Sequence, residues 1–274
     1  SLPNDEQTKL YEGYWHPLER LFGKGGEDEF NAFIWYWLWL KVPNRMPKEN
    51  EAYHEFKRYF ADDYDGDTEG LLKELREYAH RYANLFLGKE KDDGLRRVFG
   101  RIVSLDVKQI RPLLMLLYSV YEGNRLDRNA FLRVCEIIES FLFRRAVCGR
   151  LTTGLNNFFA TMYRNLEQQD DIEEYVTAML LIHSSGMTAY FPTDEHFVDE
   201  FKTRDCYNRF SKKRYYLERM ENWHHPKESI SGDDYQIEHV MPQTIDDEHG
   251  WKESLGENWE DIHDRLCNNL GNLT

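Results

Sequence analysis

The stretch TEGLLKELREYAHRYANLFLG, residues 68–88, decides the fold class of this chain. Its apolar residues recur at helical spacing and share one face: Leu71, Leu72, Leu75, Tyr78, Ala79, Tyr82, Leu85 and Phe86. Thr68 can cap the N-terminus of this helix, and Gly88 can end it. Because most of the chain repeats this pattern, the sequence predicts a mainly α fold.

Five further segments carry the same periodicity. They are PLLMLLYSVYEG (112–123), NAFLRVCEIIESFLFRRAVCG (129–149), DIEEYVTAMLLIHSSG (171–186), TDEHFVDEFKT (193–203) and CYNRFSKKRYYLERMENW (206–223). Asn129 and Thr193 are the predicted caps of the second and fourth of these. The apolar run FNAFIWYWLWL, residues 30–40, is too short for a bilayer span of ~20 residues. A buried helix is predicted there.

The polar segment HHPKESISGDD, residues 224–234, is the clearest boundary in the sequence. The apolar period is helical before it, whereas YQIEHV, residues 235–240, has the composition of a short strand. His224 and His225 stand in this segment, and on an extended chain two adjacent side chains point to opposite sides. We therefore interpret them as solvated linker residues, and we interpret His249 and His263 in the same way.

The net charge of −14 is unevenly distributed over the 274 residues. Residues 228–264 hold twelve acids and one base, whereas residues 141–166 hold four arginines and no acid. An acidic chain does not grip nucleic acid non-specifically, but a local basic stretch can contact phosphate. Arg144, Arg145 and Arg150 are therefore candidate phosphate-contacting residues, with an exposed helix end as the alternative interpretation.

Cysteine usage indicates a reducing compartment. The four cysteines are scattered and form no CxxC motif; they are Cys135, Cys148, Cys206 and Cys267. We expect free thiols in the core rather than a disulfide framework or a zinc site. Since no signal peptide opens the sequence, a cytoplasmic location is expected.

One acidic stretch, DYDGDTEGLLKE at residues 63–74, has the carboxylates of a calcium-binding loop. However, Thr68 stands where the sharp turn of such a loop needs glycine, and Gly70 stands where an apolar residue normally packs. An acidic turn that caps the next helix explains the same residues.

The motif QIEHVMPQ, residues 236–243, carries the clearest chemistry. Phosphodiester hydrolysis needs an activated water molecule and a cation that absorbs charge on the phosphate. A histidine such as His239 can take a proton from water near neutral pH. The carboxylate of Glu238 can hold a hard cation. A polar pair at a strand end, closed by a turn at Pro242, is the alternative.

Together, IEHVMPQ and the later RLCNNLGNLT resemble the HNH, or ββα-metal, nuclease core. In particular, they resemble the C-terminal domain of GmrSD-type restriction endonucleases. FLFRRAVCGRLTTGLNNFF, FPTDEHFVDEF and RYYLERMEN resemble the helical part of that family. The resemblance implies a helical region over 1–130, the family's helical part over 131–229, and an HNH core over 230–274.

The resemblance also implies roles for individual residues. His239 matches the general base and Glu238 the first ligand of Mg²⁺ or Mn²⁺, while Pro242 and Gln243 complete the turn of the motif. Asn272, in GNLT, is expected to form structural hydrogen bonds. The family's final helix, with the last metal ligand, is expected beyond Thr274, so the ββα-metal module is expected to be truncated and this chain alone to be inactive.

The function implied by the resemblance is a metal-dependent DNA endonuclease that acts on foreign or modified DNA in phage defence. The implied partners are DNA and a nucleotide-dependent N-terminal domain, whose DGQQR-type motif does not occur in this sequence. Two alternatives remain: a non-catalytic helical scaffold with a degenerate HNH remnant that binds protein or nucleic acid, and a nuclease that acts on RNA.

Overall fold

The fold is mainly α, as predicted. The computed structural model describes residues 3–23, 25–42, 44, 46–182, 189–224, 235–246 and 249–274. The His224 side chain and most of the predicted boundary segment, including His225, lie outside these residues. The helices are α1 Asn4–Leu10, α2 His16–Phe22, α3 Glu27–Lys41, α4 Ala52–Tyr64, α5 Thr68–Phe86, α6 Asp93–Ser104, α7 Arg111–Glu122, α8 Arg128–Val147, α9 Leu155–Leu166, α10 Ile172–Leu181, α11 Asp194–Thr203, α12 Cys206–Arg209, α13 Lys213–His224, α14 Trp251–Leu255 and α15 Trp259–Leu266.

Backbone contacts divide the chain into two compact units. Unit 1 comprises Ser1–Ile138 and Thr152–Ile182, and unit 2 comprises Glu139–Leu151 and His183–Thr274. Helix α8 contributes residues to both units. The division at residues 130 and 229 stays a prediction.

Unit 1 is built around the apolar faces of α3, α5 and α7. Helix α5 packs against α7 and α6, and α3 packs against α4 and α7. The apolar run of residues 30–40 lies within α3, where Phe33, Tyr36, Trp37, Leu38 and Trp39 are buried. The prediction of a buried helix there is confirmed. In the described part of the chain, no helix has the length and apolar character needed to cross a membrane.

Two predicted helix caps are wrong by one or two residues. Asp67, rather than Thr68, caps α5, because its carboxylate accepts a hydrogen bond from the Gly70 amide at 2.9 Å. Asp127, rather than Asn129, accepts the amide hydrogen bonds at the start of α8. The carboxylate that caps α5 also explains the acidic stretch at residues 63–74 as a helix-capping turn.

In the core of unit 2, the C-terminal end of α8 packs against residues near the end of the chain. Its buried members are Val147, Cys206, Phe210, Leu270 and Leu273. Rings from α8, α11, α12 and α13 pack against this core: Phe143, Phe197, Phe201, Tyr207 and Tyr216. All four cysteines of the chain are buried thiols that take no part in a disulfide, as predicted.

The helix predicted over residues 206–223 is interrupted. It divides into α12 and α13 at Phe210, whose backbone is extended with φ −118° and ψ 100°. Phe210 is 3% exposed and packs in the core of unit 2. Burial of its ring therefore overrides the local helical preference.

A regular ββα module is not seen in the described residues. Its place is taken by one antiparallel bridge, between His239 and Leu273. The flanking residues Glu238 and Thr274 exchange both backbone hydrogen bonds, at 2.8 and 3.0 Å. Because the pairing covers only residues 238–240 and 272–274, it does not extend into two regular strands.

Candidate active site around His239

The antiparallel bridge places His239 beside the end of the chain. Glu238 and Thr274 flank it on one side, and on the other the Val240 amide donates to the Asn272 carbonyl at 2.9 Å. Helices α14 and α15 stand in the sequence between the two paired segments. The bridge therefore brings the EHVMP motif and the GNLT segment together.

The His239 ring is half-buried and held on two sides. Its Nε2 lies 3.2 Å from Oδ1 of Asn268. The Tyr207 ring, on α12, meets the imidazole edge to face, with the ring centroids 4.4 Å apart and the planes at 63°. When Nε2–H donates to the amide oxygen of Asn268, the neutral imidazole presents Nδ1 as its acceptor. The arrangement thus favours Nδ1 as the proton-accepting atom.

Asn272 fastens the loop that follows His239. Its side chain is 8% exposed and accepts a hydrogen bond from the Met241 amide at 2.7 Å. Its Nδ2 donates to the carbonyls of Met241, at 2.9 Å, and Cys267, at 2.7 Å. This amide therefore joins the EHVMP motif to the C-terminal end of α15.

Pro242 is also tied to α15. The Nε2 of His263 lies 2.9 Å from the Pro242 carbonyl, and the half-buried ring of His263 belongs to α15. The interpretation of His263 as a solvated residue is therefore wrong. His249 is exposed, and its Nδ1 lies 2.8 Å from the Asp246 carboxylate. Gln243 is exposed.

Glu238 is exposed, next to His239 on the paired segment. Side chains alternate between the two faces of an extended chain, so adjacent Glu238 and His239 do not converge on one cation. Among the described residues, no group of three or more His, Cys, Asp or Glu side chains could hold a metal ion. These residues alone therefore do not form a complete metal site.

The three candidate arginines have different surroundings. Arg145 is 4% exposed and donates to the carbonyls of Tyr190, at 2.9 Å, and Leu151, at 2.7 Å. Arg144 is half-buried and pairs with Asp194 at 2.5 Å. Arg150 is exposed, and its guanidinium lies 5.1 Å from the centre of the Tyr190 ring. Of the three, Arg150 is the one open to a phosphate.

Sequence reasoning did not single out Asn268, Tyr207 or the hydrogen bond of His263. The first two act on a histidine 29 and 32 positions away, a relation that periodicity does not reveal. The signal that was present is the asparagine-rich RLCNNLGNLT, of which only Asn272 was given a role.

Comparison with known proteins gives a match for one part of the chain. The segment that carries His239, Asn268 and Asn272 is similar to a family of restriction-endonuclease domains. The family is that of the GmrSD restriction endonucleases, C-terminal domain, and its model matches residues 191–274. The resemblance seen in the sequence is thereby confirmed for this segment. No curated protein and no solved structure shows significant similarity to the chain.

Proposed function

We propose that this chain supplies the histidine half of a DNA endonuclease site, with His239 as the general base. The observation that carries the proposal is the 3.2 Å approach of His239 Nε2 to Asn268 Oδ1. It favours the tautomer in which Nδ1 can take a proton, within a segment of the restriction-endonuclease family. The antiparallel bridge is proposed to be the paired-strand part of a ββα-metal module.

In the proposed reaction, Nδ1 of His239 removes a proton from a water molecule as that water attacks the phosphorus of a phosphodiester. The bond from phosphorus to the leaving oxygen breaks, and that oxygen takes a proton from solvent. Asn268 keeps the imidazole in the required tautomer. The edge-to-face contact with Tyr207 limits rotation of the ring.

A divalent cation, Mg²⁺ or Mn²⁺, is the proposed cofactor, with Glu238 as one ligand. Such a cation neutralises charge on the phosphate and the leaving oxygen. Glu238 supplies one carboxylate, whereas hard cations take several oxygen ligands. The remaining ligands are therefore proposed to come from water, from the substrate and from residues outside the described part of the chain.

The proposed substrate is foreign or modified DNA, and the proposed role is restriction of phage in the cytoplasm. This proposal draws on the family that residues 191–274 match. The proposed partner in the same protein is a nucleotide-dependent N-terminal domain. A non-catalytic scaffold and an RNA nuclease are the outcomes against which the proposal is tested.

The test is plasmid nicking by the full-length protein with Mg²⁺ or Mn²⁺. We expect His239→Ala to slow nicking ~10²–10⁴-fold, as loss of a general base does. His249→Ala is the matched control, because His249 is exposed and pairs locally with Asp246. Equal rates for His239→Ala and wild type would remove His239 from the mechanism. RNA cleavage without DNA cleavage would support the RNA nuclease, and wild-type protein that cleaves neither would support the scaffold.

A further inference from the structure

A basic surface lies beside the candidate base. It consists of Arg209, Lys212, Lys213 and Arg214, and residues 206–217 around it contain no acid. Arg209 and Arg214 are exposed, and the two lysines are half-buried. In a chain with a net charge of −14, this concentration of positive charge needs a physical explanation.

The basic surface is joined directly to the His239 site. The Lys213 ammonium lies 5.0 Å from the centre of the Tyr207 ring and also hydrogen-bonds to the Tyr207 carbonyl. The same Tyr207 ring rests against His239. Arg214 donates to the Tyr235 carbonyl at 3.1 Å, at the start of the segment that leads to the EHVMP motif. Two of the four bases therefore contact the surroundings of His239: Lys213 through Tyr207, and Arg214 through the segment that leads to the EHVMP motif.

The nearest acids in the sequence, Asp205 and Glu218, do not cancel this charge. Asp205 caps α12, where its carboxylate accepts hydrogen bonds from the amide and side chain of Asn208 at 2.9 and 3.2 Å. Two acids against four bases leave residues 205–218 with a charge of +2. The break at Phe210 helps to position the bases, because the buried Phe210 ring fixes the turn that precedes Lys212.

We propose that the basic surface contacts the phosphate backbone of duplex DNA and holds it against Tyr207 and His239. This inference rests on the proposed nuclease function and names the surface by which that site takes its substrate. Lysine and arginine contacts to phosphates release counterions and position a duplex without reading its sequence. The surface therefore supplies binding and orientation, and not recognition of particular bases.

The test measures DNA binding without cleavage. The variant combines Arg209→Gln, Lys212→Gln and Arg214→Gln, and it retains Lys213, which hydrogen-bonds to Tyr207. Binding of a labelled duplex to the 274-residue chain is followed by fluorescence anisotropy in EDTA over a range of salt concentrations. We expect the slope of log affinity against log salt to fall in magnitude by roughly 2 to 3, at about 0.9 per lost phosphate contact.

A matched variant controls for net charge. This control variant combines Lys57→Gln, Arg97→Gln and Lys108→Gln, which remove the same number of charges at exposed positions of unit 1. We expect the control variant to show the same slope of log affinity against log salt as wild type. A wild-type slope in the basic-surface variant would overturn the inference, and so would failure of wild type to bind duplex DNA. The inference would also be overturned if wild type bound poly-L-glutamate as tightly as duplex DNA, because the surface would then bind any polyanion. Since no cleavage is measured, these outcomes are independent of the nicking test of His239.

Discussion

Replacing Asn272 should destabilise the loop that follows the candidate base His239. The substitution Asn272→Ala removes the hydrogen bonds to the Met241 amide, the Met241 carbonyl and the Cys267 carbonyl. Each such bond contributes about 0.5–1.5 kcal/mol net. The expected loss in free energy of unfolding of unit 2 is therefore about 2–4 kcal/mol.

A second substitution separates hydrogen bonding from side-chain volume. Asn272→Asp retains the oxygen that accepts a hydrogen bond from the Met241 amide. It replaces Nδ2, which donates to the Met241 and Cys267 carbonyls, by a carboxylate oxygen that faces the same two carbonyls. Carboxylates accept hydrogen bonds and do not donate them when ionised. We therefore expect Asn272→Asp to destabilise unit 2 at neutral pH at least as much as Asn272→Ala, although it is nearly isosteric.

The assay is amide hydrogen exchange, because the chain has two units and a single global transition would mix them. The amides of Val240 and Met241 should exchange roughly 30-fold faster or more in Asn272→Ala, since a factor of ten corresponds to about 1.4 kcal/mol. Asn269→Ala is the control, because the Asn269 side chain makes one long bond, 3.4 Å, to the Lys202 carbonyl. Unchanged exchange in Asn272→Asp would refute the assigned hydrogen-bond pattern.

Two further predictions concern protons. Asn268→Leu should abolish the preference of His239 for the Nε2–H tautomer and slow nicking, whereas Asn268→Asp should retain that tautomer. The ¹⁵N chemical shifts of the imidazole report which tautomer is present. An unchanged tautomer in Asn268→Leu would contradict the role assigned to Asn268. Burial raises the pKa of the Cys206 thiol to about 11, so at pH 9 about 1% is thiolate in the folded state and far more in the unfolded state. Iodoacetamide at pH 9 should therefore modify Cys206 slowly in buffer and rapidly in urea, and stability should fall as the pH rises above about 9, where the unfolded thiol ionises first; equal rates in buffer and urea would contradict its burial.

The parts of the fold that could be predicted from sequence are those set by local patterns. The apolar period of residues 68–88 predicts α5 because its whole buried face lies within one helix. The predicted caps of α5 and α8 differ from the observed ones because each helix start offers two polar residues, Asp67 and Thr68 for α5, and Asp127 and Asn129 for α8. Only the hydrogen-bond geometry distinguishes the two residues of each pair. The break at Phe210 could not be predicted, since it depends on packing in unit 2.

The candidate site divides in the same way. His239 and Glu238 were found because the motif around them is contiguous in sequence. The contacts of Asn268 and His263 could not be predicted because both residues are distant in sequence from their partners. Asn268 follows α15 and lies 29 positions from His239, whereas His263 lies on α15, 21 positions from Pro242. Neither residue has a local pattern that distinguishes it from a polar residue on a helix surface.

In the proposed reaction, the charges on the helices near His239 favour one direction of approach for a phosphodiester. Helix α15 is tied to Pro242 through His263, and it exposes Glu260, Asp261 and Asp264. Exposed carboxylates repel phosphate, with a range of about 8–10 Å at physiological salt. The basic surface of α12 and α13 instead reaches His239 through Tyr207. If the proposed nuclease function holds, a duplex is expected to be attracted on the α12–α13 side and repelled on the α15 side. Neutralising the α15 carboxylates should strengthen DNA binding without altering the tautomer of His239.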